Sequence, residues 1–584
     1  MSGSRVFMRV LALVFASVFM AAACGQESAP PEEEEGGSSE ESSMMEESAM
    51  EPTMMEETTT EETTSSSMDA AAGSGETVDI QILGINDFEG NLETAEDDDG
   101  DEVGGAAYLA SALDERADEN AEGTVRVHVG DLVGASPLIS SYFHDEPTIG
   151  VTNLMDFDVA TLGNHEFDEG GDEMFRLLEG GQRDDGMEIK NGENTSDPDF
   201  EGANYPYVSA NVAYADSGEL VLPPYEVIER DGVEIGFIGV VTEAAPEVVT
   251  PDAVAPFEFL DISDSVNEAA EELQNEGVET IVVLAHEGNE NEDVDPPEGN
   301  IVEEVEQMDD SVDAVVAGNT EFTIDEEIGG KYVVQAAGTS TDYAVADLEV
   351  DTGSGDVVEA GGEVVAFDNG ELEPDEEVQA LVEESQAEIA PIAETNIGEA
   401  SETISDESNE AGESPIGDLI ADAQRDFAEA DFAFMNPGGI RAEIPSGEVT
   451  YEDLFTVQPF SNQLVRLEMT GEQIQTLLEQ QFELEVPTVL QISGLTYSYD
   501  ENAPEGERVG EIAIDGGGEL DPSATYTVAL NSFLVTGGDG FTTFTEGENS
   551  ETLGSDLDAL VEYVENLEQP FTAPEDEGRI TAEG

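Results

Sequence analysis

From Thr77 onward, short apolar runs bounded by glycine and polar residues alternate with longer amphipathic stretches. This is the pattern of strands buried on both faces and joined by crossover helices. It predicts strands at 79–85, 125–129, 157–162, 207–212, 234–241, 280–285 and 312–317, with helices at 104–118, 263–274 and 301–308. Three later strands, 332–336, 343–350 and 363–367, read as an added antiparallel sheet. Five of the strands deliver a polar or ionisable residue at their ends: Asp87, Asp131, Asn164, His286 and Asn319. A parallel sheet sets its C-terminal ends side by side, so these groups are expected on one edge, where open α/β sheets hold their ligands. Asp168 stands three residues after His165, close enough to share a face and fix the imidazole's tautomer.

Beyond residue 371 a helix follows Pro374, and a second αβ region begins near Pro391. Ser414 and Pro415 form an N-cap and first-turn pair for a helix to Ala428, Thr470 caps another from Gly471, and Ser555 caps a last one to Leu567. A strand ending at Met435 delivers Asn436, then Gly438, Gly439 and Arg441, a glycine turn with a fork-shaped cation suited to an anion.

Composition changes the picture in three ways. The chain of 584 residues carries 14 Lys and Arg against 140 Asp and Glu, a formal charge of -126, so no basic face exists to bind nucleic acid. Self-repulsion on that scale fits a protein built for concentrated salt, where screening lengths shrink to roughly 3 Å at 1 M. The single cysteine, Cys24, follows basic Arg5 and Arg9, an apolar run and three alanines, as at the end of a lipoprotein signal peptide. Residues 1–24 are therefore expected to direct export and lipid anchoring at the outer face of the cytoplasmic membrane, and 25–76, rich in Glu, Ser, Thr and Met, to form a disordered acidic spacer.

The strand-end set of carboxylate, amide and imidazole suits two divalent cations, and a carboxylate shared between metals about 3.5–4 Å apart is the arrangement used for in-line phosphoryl hydrolysis. Ile85-Asn86-Asp87-x-x-Gly90, Gly130-Asp131, Gly163-Asn164-His165-Glu166-Phe167-Asp168 and Ala285-His286 resemble the calcineurin-type metallophosphoesterase domain, and their order resembles the 5′-nucleotidase family. The resemblance implies an α/β protein: a four-layer αββα sandwich (77–370), a linker helix (371–391) and a smaller α/β substrate domain (392–584). It also implies two divalent metals held by Asp87, Asp131, Asn164 and His286, with His165 and Asp168 as the catalytic pair beside a metal-held hydroxide. Phe460 and Phe533 fall where the family stacks a nucleobase and Asp539 where it holds the ribose, with Asn436, Arg441 and Asn462 around them.

Three metal positions depart from that pattern: Glu89, Asn319 and Glu321 stand where the family places histidines. A site of Asp87, Glu89, Asp131 and Glu321 offers only oxygen, which favours Mn, Mg or Ca over Zn. Glu410 stands where nucleotidases carry an arginine. The resulting expectation is an exported, metal-dependent phosphohydrolase acting on nucleotides. The alternatives are a nucleoside- or metal-binding lipoprotein without turnover, and a hydrolase of 2′,3′-cyclic nucleotides, nucleotide sugars or nucleic-acid ends.

Overall fold

The computed structural model describes residues 76–96, 102–183, 196–197, 199–288, 299–320, 322–460, 462–482, 484, 488–504, 506–574 and 578–583. The signal-like segment with Cys24, the acidic spacer up to residue 75, and Glu321 lie outside the described residues.

Two six-stranded sheets form the first half. One has at its centre Thr77–Ile85, parallel to Thr124–Val129, which continues through Val159–Thr161 to Tyr207–Val208. The other runs parallel from Val233–Val241 through Thr280–His286 and Ala314–Ala317 to Lys331–Gln335. Between the sheets lies a buried layer of apolar side chains, including Ile80, Ile82, Val125, Val127, Ile235, Phe237, Val282 and Leu284. The outer face of the first sheet is covered by the helix Ala106–Ala117, through Leu109 and Leu113, and that of the second by Ile262–Glu276, through Val266 and Leu273. The result is the expected αββα sandwich.

Two expectations are corrected. The strand ends converge from two sheets rather than along one: Asp87, Asp131 and Asn164 follow strands of the first, His286 and Asn319 strands of the second. The three closing strands do not form a sheet of their own. Lys331–Gln335 joins the second sheet in parallel, whereas Asp342–Asp351 and Val357–Ala366 extend the first sheet antiparallel to Thr77–Ile85. Apolar periodicity cannot distinguish these outcomes, because strands covered on both faces look alike whichever sheet they enter.

The helix Glu376–Ala393 is capped by Asp375, whose carboxylate accepts from the Glu377 and Val378 N–H groups. Val378 and Val382 pack into the first half, while Ile389 and Ala393 pack into the second, so one rigid element belongs to both cores. The second half is built on a five-stranded sheet in the order Gln491–Ser493, Phe432–Met435, Thr525–Asn531, Gln463–Thr470, Glu548–Ser555. Ser414 caps its helix as expected, accepting from Gly417 N–H at 3.1 Å, and Thr470 forms a capping box with Gln473. Ser555 precedes the last helix but its side chain makes no cap bond; the Asp556 carboxylate accepts from Leu557 N–H instead.

Candidate metal centre and substrate face

Asp87, Glu89, Asp131 and Asn319 all have left-handed backbones, with φ of 47°, 45°, 46° and 74°. Such conformations persist only where the surroundings over-determine them, and here the restraints are explicit. The Asn319 N–H donates to Asp87 Oδ2 at 3.0 Å, and the Asn86 side-chain amide donates to the same oxygen at 2.7 Å while also bonding Ala336. Asp131 Oδ1 accepts from the His165 N–H at 2.8 Å, which leaves Oδ2 to face His286.

His286 is wholly buried. Its Nδ1–H donates to the Val129 carbonyl at 2.7 Å, and Nε2 then lies 3.0 Å from Asp131 Oδ2 and 3.2 Å from Asn164 Oδ1. A carbonyl on one ring nitrogen that turns the other toward oxygen ligands is the usual outer support of a metal-binding histidine. Ligand atoms of Asp87, Asp131 and His286 lie within 4.8 Å of one another, and so do those of Glu89, Asp131 and His165. The two groups share Asp131.

The charges are out of balance in a way that a cation would correct. Burial drives the Asp87 carboxyl up to about 8, against the pull of His286 and with the push of Asp131. Burial also acts to lower His286, yet Asp131 and Asp87 hold it up at about 10. Asp131, which burial would raise, is held below its ordinary value by His286 and His165. Protons thus take the place of positive charge among crowded oxygens. The donor set fits divalent cations.

His165 opens the short turn His165–Phe167, and its Nδ1 meets Asp168 Oδ2 at 2.7 Å, as the spacing predicts. Its Nε2 lies 4.0 Å from Glu89 Oε1. Close approach of the Gly130–Gly134 loop makes this placement possible: at Gly134, with φ of 106°, a Cβ would lie 2.2 Å from that of His165. Glu166 has a function that sequence reasoning missed. Its buried carboxylate accepts from the N–H groups of Asp131, Leu132 and Gly163 at 3.1, 2.9 and 2.5 Å, joining the loops that carry Asp131 and Asn164. Its position inside the Gly-Asn-His-Glu run was the only signal, because its partners are backbone groups.

The second half faces this cluster. The Phe460 ring lies 6.5 Å from His165, centroid to centroid and 20° from parallel, and the Arg441 guanidinium sits 5.6 Å over Phe460. Burial raises the Glu89 carboxyl, while His165 and Arg441 draw it down. Asn462 acts within its own half: Oδ1 accepts from Ser532 Oγ–H at 2.8 Å and Phe533 N–H at 3.3 Å, tying the Phe460 loop to Phe533. Asn436 donates to Asp539 Oδ2 at 2.9 Å and accepts from Asn531 at 2.9 Å. Gly438 and Gly439 form the turn Pro437–Gly439 leading to Arg441, and Glu410 is exposed in a loop shaped by the Asn409 side chain.

A third carboxylate cluster, Glu243, Asp261 and Glu304, has a simpler explanation. These groups accept from Ile262, Asp264 and Ser263 N–H, respectively, and so cap the helix Ile262–Glu276.

Comparison with known proteins agrees with the geometry. A family model described as 5′-nucleotidase, C-terminal domain, matches residues 391–546. The endonuclease YhcR of Bacillus subtilis is 35% identical over 514 residues; the match covers 86% of this chain but only 41% of that protein. The cell wall protein Lmo0130 of Listeria monocytogenes is 33% identical over 543 residues, covering 85% of this chain and 68% of that protein. Among solved structures, a 5′-nucleotidase precursor from Thermus thermophilus matches with a TM-score of 0.70 at 26% identity, over 86% of this chain and 99% of that one.

Proposed function

The chain belongs to the 5′-nucleotidase family, and on that premise we propose that it is an exported, metal-dependent phosphohydrolase removing phosphate from nucleotides. The observation that carries this reading is the pair of donor clusters sharing Asp131, with Phe460 and Arg441 of the second half brought against His165. Asp87, Asp131, Asn164, His286 and Asn319 would hold two divalent cations together with Glu89 and Glu321. The oxygen-rich side holding Glu89 favours Mn, Mg or Ca over Zn. Cations there would lower the pKa of bound water and offset charge on the phosphoryl oxygens.

The residues supply the rest. Asp168 fixes His165 through Nδ1, so the proton available to the reacting phosphoryl group or leaving oxygen resides at Nε2. Arg441, which lies over Phe460 and acts electrostatically on Glu89, brings a positive fork that pairs with phosphate oxygens. Phe460 and Phe533 stack the base, and Asp539, held by Asn436, takes the ribose. Residues 77–370 form the catalytic domain and 392–584 the substrate domain, around the linker at 371–391. Cys24 marks lipid anchoring at the cell surface, and the acidic surface fits a saline medium.

Phosphate release from AMP, a 2′,3′-cyclic nucleotide and p-nitrophenyl phosphate tests this, using the full chain in high salt with Mn, Mg, Ca, Zn or Co added singly. Release from AMP that requires a metal and disappears in His165→Ala is the expected result. No release with any metal, from a protein that still binds adenosine, would replace this reading with that of a nucleoside-binding lipoprotein. A preference for the cyclic nucleotide would move the activity to phosphodiester hydrolysis.

A further inference from the structure

Gln335 ends the strand Lys331–Gln335 beside Ala314–Ala317, one residue past the register pair Val316–Val334. It is wholly buried, next to Val333 and Ala317 of an otherwise apolar core layer. A primary amide in such a place costs stability unless its hydrogen bonds are made. The Gln335 Nε2 donates to the Thr320 carbonyl at 2.5 Å and to the Thr320 hydroxyl oxygen at 2.8 Å, while Oε1 has no partner among the described residues. Both bonds thus converge on one residue, and that residue lies between the two departures from the family's metal ligands, Asn319 and Glu321.

The same turn is held from two other sides. The Asn319 N–H is bound by Asp87 Oδ2 at 3.0 Å. Gly288, two residues after His286, lies so close that a Cβ there would be 2.4 Å from Thr320 Oγ1 and 2.5 Å from the Gly318 carbonyl. An aspartate, a glycine and a buried glutamine therefore define where the Gly318–Thr320 turn sits. An amide oxygen is a weaker metal donor than the imidazole it replaces, so placement counts for more at Asn319.

We propose that Gln335 is a positioning residue of the metal centre, clamping Thr320 so that the adjoining Asn319 is presented to the cations. This rests on the reading of the strand-end cluster as a metal centre. Its role is distinct from that of the ligands: Gln335 itself touches neither metal nor substrate, and acts through Thr320.

Mn²⁺ titration calorimetry on the metal-free full chain tests it, with circular dichroism and thermal unfolding of each metal-free variant as the check on folding. Gln335→Met preserves length and volume without the donor. It should leave the metal-free fold intact and raise the Mn²⁺ Kd by roughly 10- to 100-fold, the usual cost of losing an outer support. Thr320→Val, which removes only the hydroxyl contact, should raise it less, and the double variant should be no worse than Gln335→Met alone, as expected for groups acting as a unit. An unchanged Kd in a folded Gln335→Met, or fully additive losses in the double variant, would overturn the proposal while leaving the metal centre standing. If Gln335→Met fails to fold, an unchanged Kd in Thr320→Val overturns it equally. Absence of Mn²⁺ binding by the unaltered protein would instead remove the metal-centre reading, and the clamp with it.

Discussion

The two surfaces that meet at His165 and Phe460 keep the family pattern to different degrees. On the strand-end side, Glu89, Asn319 and Glu321, two carboxylates and an amide, stand where the resemblance implies imidazoles. On the facing side Phe460, Phe533, Asp539 and Arg441 match the pattern that the resemblance implies, and the departure at Glu410 falls on an exposed loop. A metal cluster can exchange donor types because its geometry resides in the backbone: the left-handed turns at Asp87 and Asp131, and the Glu166 carboxylate that joins two loops, do not depend on the donor at position 89. The base stacking proposed for Phe460 and Phe533 would have no such freedom, since the ring would itself be the binding element. On the proposed reading, the donors would tune which ion is used and the aromatic pair would determine what is held.

Removing the metal should produce the largest effect and separate the two surfaces. Dialysis against a chelator is expected to abolish phosphate release and addition of Mn²⁺ to restore it, with adenosine binding, followed by calorimetry, retained throughout. Loss of adenosine binding in the metal-free protein would break the comparison, because the aromatic face would then depend on the cluster opposite.

Truncating the aromatic pair comes next. Stacking contributes about 1–3 kcal/mol per base, so Phe460→Ala and Phe533→Ala should each raise the KM for AMP by roughly 5- to 150-fold. The KM for glycerol phosphate, which has no ring to stack, should be nearly unchanged in Phe533→Ala. In Phe460→Ala a fall in kcat for both substrates would show that the contact between Phe460 and His165 also serves the chemistry, and the division between surfaces would be less sharp.

Much of this was legible in the residues, for reasons that differ from place to place. Asp87, Asp131, Asn164, His286 and Asn319 announce themselves because each interrupts an apolar run at its end. His165 and Asp168 are three residues apart, so their contact follows from local geometry. The division of the strand ends between two sheets was not legible, since Thr77–Ile85 and Thr280–His286 are equally apolar and their partners are chosen by tertiary packing. Nor was the use of Asn462, which supports Phe533 through an oxygen rather than facing a ligand, or of Gln335, whose partner lies in another loop. The meeting of Phe460 with His165 depends on how two halves dock, and no local pattern encodes that.

The two halves differ finally in how acid acts on them. All four histidines, at 128, 144, 165 and 286, precede the linker helix; the second half has none. His128 is enclosed by Phe157, Tyr205 and Tyr207, with Nε2 3.0 Å from the Tyr207 hydroxyl, and burial, aided by His286, pushes its pKa down to about 3. The unfolded chain binds a proton at this residue near pH 6.5, whereas the folded chain resists until about pH 3. Its contribution to stability is therefore complete above pH 6.5 and falls as the pH drops through that window, by at most about 1.4 kcal/mol per unit. His128→Gln retains a polar partner for Tyr207 but cannot titrate. Whatever the substitution costs at pH 7, urea unfolding of the full chain between pH 7 and 4 should show a shallower loss of stability in the variant, confined to the transition of the first half. Parallel pH profiles for the two proteins would mean that His128 is protonated in the fold, and that carboxylates alone set the acid limit of both halves.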